Sequence, residues 1–136
     1  PLYANVNERL GIDFSVARVP FESDVFDTRI LRIAPRKNNE RHKHPHESIC
    51  HVIAGRGRVQ VNKGSFDVGP GDMVFVPRWA THQSQSTSDE ELVILALTDF
   101  GLTERTFIGD HLRTTRAKGT QAPRETGATA PIDGAE

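Results

Sequence analysis

His42-Lys43-His44-Pro45-His46-Glu47-Ser48 is the stretch that decides the fold, read together with Gly71-Asp72-Met73-Val74-Phe75-Val76-Pro77-Arg78-Trp79-Ala80-Thr81-His82 further down the chain. In an extended strand, residues i and i+2 project to the same face. His42 and His44 therefore share a face, and His82 on a facing strand completes one wall of a metal site. Three neutral imidazoles with open coordination positions suit iron, nickel, copper or zinc.

Outward from these segments the apolar stretches are short and β-rich, and turn signals separate them. That pattern predicts an all-β sandwich or barrel. Residues 25–34 alternate around Ile30, Leu31 and Ile33 and stop at Pro35. Residues 49–54 form a buried strand ending at Gly55. Residues 57–61 pair with the next segment across Asn62-Lys63-Gly64, where Asn and Gly tolerate positive φ. Val68-Gly69-Pro70-Gly71-Asp72 is a tight turn into residues 73–76, and residues 91–97 are the most hydrophobic strand and belong at the centre.

The 136 residues suffice for one domain with a core. A net charge of −1 gives no reason to expect a nucleic-acid or membrane partner. Cys50 is the single cysteine, which excludes a disulfide framework and points to a reducing, cytoplasmic setting. No apolar run has the length of a bilayer span or a signal peptide. The expected organisation is an N-terminal extension over residues 1–20, a barrel over 21–113 and a low-complexity C-terminal tail over 114–136. Leu2, Tyr3, Val6, Leu10, Ile12 and Phe14 add a strand or cover a barrel mouth, and Phe107, Ile108 and His111 belong to an irregular cap. The tail alone has too little apolar area to offset its ordering entropy. If ordered, it is held by a neighbouring subunit.

The two histidine segments resemble the two cupin motifs over residues 36–86. The first motif reads G-x5-H-x-H-x3,4-E-x6-G. Here His42-x-His44 is followed by Ser48 in the carboxylate position and, after six more residues, by Gly55. The second reads G-x5-P-x-G-x2-H-x3-N. Here Gly71-x5-Pro77-x-Trp79-x2-His82 fits, with Trp79 in place of glycine and Ser86 in place of asparagine. The resemblance implies a single cupin, an antiparallel β-barrel or jelly roll paired as a homodimer. A serine hydroxyl is a poor ligand for a divalent metal, so the implied ligands are His42, His44 and His82. Glu47 reaches the metal only if the loop bulges. The missing carboxylate and the Pro77-x-Trp79-x2-His82 wording resemble gentisate and salicylate 1,2-dioxygenases. Those are usually longer, two-cupin chains whose three-histidine Fe(II) sites cleave hydroxylated benzoates with O2. The resemblance thus implies Fe(II), or another divalent metal, and a small aromatic acid substrate.

Several residues carry two readings. His51 has the opposite parity to Ser48 and Cys50 in a regular strand, and is either a hydrogen-bonded structural histidine or a general base. Glu47 and His111 are the other proton-handling candidates. His46 shares the parity of His44 but lies in a loop, where it either faces inward or has a surface role. Cys50 lines the pocket or fills the core as a small hydrophobe. Trp79 covers a core edge or stacks a flat substrate. A substrate carboxylate calls for an arginine fork, with Arg29, Arg32, Arg41, Arg78 and Arg113 as candidates; Arg29 and Arg32 point to opposite faces. Phe26, Leu31, Ile33, Phe75, Leu95 and Leu97 are the expected wall or core. Two other classes stay open: a metal-binding module without turnover, and an isomerase, lyase or cyclase using its metal as a Lewis acid.

Overall fold

The computed structural model describes residues 2–19 and 21–104. Nine strands follow in order: β1 Tyr3–Asn7, β2 Ile12–Val19, β3 Asp27–Ile33, β4 Ser48–Ala54, β5 Gly57–Val61, β6 Gly64–Val68, β7 Met73–Val76, β8 His82–Ser86 and β9 Leu92–Thr98, then the short helix α1 Phe100–Glu104. They form a six-stranded sheet, β1-β2-β3-β9-β4-β7, and a three-stranded sheet, β6-β5-β8. Every named pair is antiparallel. Ile12, Phe14 and Val16 of β2 join Leu31, Ile33, Val52, Ile94 and Ala96 of the large sheet and Val59 and Val68 of the small one in a single apolar cluster. The two inner faces therefore pack on each other as a small all-β cupin-type jelly roll.

The sequence puts the strands where they are for local reasons. The apolar segment 92–98 lies between β3 and β4, where both edges are paired. Asn62, at φ 53°, turns β5 into β6, and Gly71, at φ 93°, turns the chain into β7. Gly55 has φ 83°, and a Cβ there would lie 2.2 Å from the Glu91 carbonyl oxygen. Only glycine permits that approach of β4's end to the start of β9. The first nineteen residues contribute two full strands, with Tyr3 facing Val16 and Phe14 facing Ile33.

Four expected wall or core residues lie outside the core. Phe26 and Phe75 are 55% and 53% exposed. Phe26 precedes β3. Phe75 has the outward parity of β7, because Ser48 pairs with Val76 and it is Val76 that enters the core. Leu95 and Leu97 are half-buried on the outer face of β9, opposite His51 and Ile49. Leu31 and Ile33 are in the core.

Candidate metal centre

Burial alternates along the first histidine segment and into β4. His42, His44, His46, Ser48, Cys50 and Val52 are buried, while Lys43, Glu47, Ile49 and Ile53 are exposed. Within β4 the alternation is regular, whereas in the loop before it Pro45 is buried too, between His44 and His46. His42 and His82 exchange main-chain bonds, His42 N–H to His82 O at 3.1 Å and His82 N–H to His42 O at 2.9 Å. That places them side by side on adjacent extended segments of the small sheet. His44 comes to them from the loop, its carbonyl held by the Trp79 N–H at 2.8 Å.

The three imidazoles converge. Ring centroids are 4.5 Å apart for His42 and His82, 4.7 Å for His44 and His82, and 5.4 Å for His42 and His44. Their ligand atoms all lie within 4.8 Å of one another, and all three residues are buried. Each Nδ1 faces a main-chain carbonyl: His42 to Glu40 O at 2.9 Å, His44 to His46 O at 3.1 Å, His82 to Ala80 O at 2.9 Å. A carbonyl oxygen only accepts, so each neutral ring carries its hydrogen on Nδ1 and keeps the lone pair on Nε2. A metal ligand needs that tautomer, held from behind by an acceptor. The donor set fits a divalent metal of the iron-to-zinc range.

Beyond the ligands the interior holds both aromatic and polar groups. His46 is buried and stacks on His44, with centroids 3.7 Å apart and planes at 12°. This differs from a surface role, because the loop folds His46 in between His44 and Phe100. Phe100 meets His46 edge-on at 5.2 Å, and the Arg29 guanidinium lies 5.5 Å from the Phe100 ring centre. Arg29 shares the inward parity of Leu31 and Ile33 and pairs with Asp27, which also binds Arg18 at 3.0 Å. Ser48 is buried, and its Oγ has no hydrogen-bond partner among the described residues. Cys50 is buried beside it and carries a thiol, not a disulfide.

Other candidates stand apart from the histidines. Glu47 is exposed and is tied through its N–H to Asp99 Oδ1 at 2.9 Å. Its side chain stays on the outside, with Asp99 holding the backbone just before β4. His51 is half-buried with the outward parity of Ile49 and Ile53. Arg32 is exposed and pairs with Glu91 at 3.1 Å. Arg41 is exposed, 3.3 Å from Gln60 Oε1. Arg78 donates to the Pro45 carbonyl at 2.8 Å and pairs with Asp99, so it clamps the histidine loop. Trp79 is 44% exposed and has φ 62°. Arg113 and His111 lie outside the described residues. Sequence reasoning missed Asp99, Phe100 and the buried Glu40. Only Glu40 offered a signal, a lone acid two residues before His42.

Comparison with known proteins follows the same lines. The 1-methylthio-D-xylulose 5-phosphate methylsulfurylase of Rhodospirillum rubrum is 35% identical over 73 residues, covering 52% of this chain and 46% of that protein. The 5-aminosalicylate 1,2-dioxygenase of Comamonas is 30% identical over 71 residues, covering 52% of this chain and 19% of that protein. The chain thus spans less than half the length of these relatives. Among solved structures, a salicylate 1,2-dioxygenase from Pseudaminobacter salicylatoxidans superposes with a TM-score of 0.64 at 16% identity, over 76% of this chain and 29% of that one. At that identity the likeness speaks for the fold alone. The cupin domain family model matches residues 29–98, which take in strands β3 to β9 and all three converging histidines. By that match this chain belongs to the cupin family.

Proposed function

We propose that the chain is a mononuclear non-haem Fe(II) dioxygenase that opens the ring of a hydroxybenzoate of the salicylate or gentisate type, or of a closely related chelating acid. The observation that carries this reading is the buried group His42, His44 and His82, with Ser48 where a carboxylate ligand stands in the cupin pattern. The dioxygenase from Comamonas, named for a substituted salicylate, supports it. Iron held by His42, His44 and His82 would supply redox chemistry toward O2. The residues do the rest. Three neutral imidazoles leave the cation's charge undiminished, which favours an anionic, chelating ligand. The apolar cluster forms the barrel wall beside the histidines. Trp79 offers a flat face beside the His44 loop. Arg29 is the inward-facing cation among the four candidate arginines that are described. A reducing cytoplasm and a homodimer belong to the same reading. The Cys50 thiol supports the first, and the exposed outward row of Ile49, Ile53, Met73 and Phe75 supports the second.

The test is anaerobic purification with metal analysis, then Fe(II) reconstitution in an oxygen electrode with salicylates and gentisate. Uptake of O2 with loss of the aromatic absorbance is expected. A second reading is favoured by the 35% identity to the methylsulfurylase: a non-oxidative enzyme using its metal as a Lewis acid. Tight metal binding with no O2 uptake across the panel would replace the first reading with the second.

A further inference from the structure

The extended segment leading into His42 runs alongside β8, but not in a regular ladder. Asn38 bridges Gln85 and His42 bridges His82, both antiparallel. Residues 39, 40 and 41 therefore face only 83 and 84, one residue too many. In a regular antiparallel ladder, the next mutually bonded pair beyond His42 and His82 would be residues 40 and 84. Instead Asn39 takes both places. Its N–H donates to Ser84 O at 3.1 Å, and its side-chain Oδ1 accepts the Ser84 N–H at 2.9 Å. The Gln83 amide donates to Asn39 O at 2.8 Å. The extra residue is Glu40, which the ladder skips. Its carbonyl is turned to accept from His42 Nδ1 at 2.9 Å.

The Glu40 side chain goes the other way, to the far edge of the other sheet. It is 1% exposed, and Oε2 accepts from Tyr3 Oη at 2.6 Å and from Asn5 Nδ2 at 2.9 Å. Both donors lie on β1, the edge strand of the six-stranded sheet. A carboxylate that is taken out of water needs such donors. One residue thus fastens the seam between the sheets and presents the oxygen that fixes the tautomer of a converging histidine. Bulges that re-aim a neighbouring side chain are a recurring device beside functional sites.

We infer that Glu40 is a positioning residue for the metal centre, acting through the Asn39–Glu40 bulge on His42, with Tyr3 and Asn5 of β1 as its anchors. Metal affinity at the three histidines then depends on the first strand of the chain, although that strand supplies no ligand. The inference rests on His42, His44 and His82 binding a metal, not on the reaction that follows.

The experiment uses the full chain and Co(II) as probe. Dissociation constants come from competition with a chelator, the ligand field from the visible d–d bands, and the ring hydrogens from the exchangeable, hyperfine-shifted Nδ1–H signals in the proton spectrum. Glu40→Ala is expected to weaken Co(II) binding about tenfold or more, in the range that orienting partners of ligand histidines command. It should also shift the bands and speed solvent exchange of the His42 ring hydrogen. Tyr3→Phe keeps the ring against Phe14, 5.5 Å away, and removes only one donor. A loss of about threefold and the same spectral change in milder form are expected. If Glu40→Ala does not fold, Tyr3→Phe decides. Lower thermal stability with an unchanged dissociation constant and unchanged spectrum would overturn the inference and leave Glu40 as a seam residue only. Failure of the wild-type chain to bind Co(II) would remove the metal reading and the inference with it.

Discussion

Trp79 donates its main-chain N–H to the carbonyl oxygen of His44 at 2.8 Å, while its own backbone sits at φ 62°. The bond ties the turn before β8 to the histidine loop. The left-handed backbone is what that turn requires, and glycine adopts it without steric cost. Tryptophan does not, and with 44% of its surface exposed its packing offsets only part of the strain. We read this strained, part-exposed aromatic beside the histidine loop as a face for the proposed substrate.

Trp79→Gly is therefore expected to have opposite effects on stability and binding. The backbone bond to His44 survives, and stability stays level or rises by up to about 1 kcal/mol as the strain is relieved. Salicylate affinity of the metal-loaded protein should fall about tenfold with the loss of the indole face. A thermal melt and a titration of the same sample decide. A clear drop in melting temperature with affinity retained would make Trp79 a structural cover.

His82→Ala removes one imidazole from a buried site and also a strand-start side chain. Its main-chain pairing with His42 is unaffected. The barrel should stay folded by circular dichroism, while bound metal drops from about one equivalent to near zero and added metal no longer raises the melting temperature. A full metal equivalent in the variant would sink the three-histidine site.

Ser48→Ala tests a buried hydroxyl without a partner among the described residues. Deleting such a group removes a desolvation cost and no internal bond, so stability should be unchanged or raised by about 1 kcal/mol. Metal content and most of the activity should remain. An inactive variant with intact metal would show that the hydroxyl contacts the bound substrate.

Gly55→Ala places a Cβ 2.2 Å from the Glu91 carbonyl oxygen and 2.9 Å from Leu92 Cα, in a backbone with φ 83°. Both neighbours are main-chain atoms and neither can swing aside. A loss of about 3 kcal/mol or more is expected, by the mechanism of strain at a special backbone position. Urea unfolding would measure it, and a loss under about 1 kcal/mol would mean that the β4–β9 connection adapts.

Much of this was legible in the order of residues because it is local. Strand segments follow from two-residue alternation, and the turns at Asn62-Lys63 and Gly71 follow from residues that accept positive φ. The shared face of His42 and His44 follows from strand geometry, and the cupin spacing brought His82 to the same place. What the sequence could not decide was set by pairing between distant segments. Whether Val76 or Phe75 enters the core depends on β7 pairing Ser48 with Val76, since a slip of one residue would exchange the faces. Whether His51 turns inward depends on the register of β4, fixed by β7 and β9 on its two sides, and Glu47 is kept outside by its N–H bond to Asp99. Arg29 was separated from the other arginines only once β3 had found β9. The role of Glu40 lies wholly in tertiary structure: its donors are 37 and 35 residues away, on a strand that meets it only when the two sheets close. Local rules settle each residue's conformation and parity, whereas contacts across the barrel settle which face is inside and which carbonyl a histidine finds.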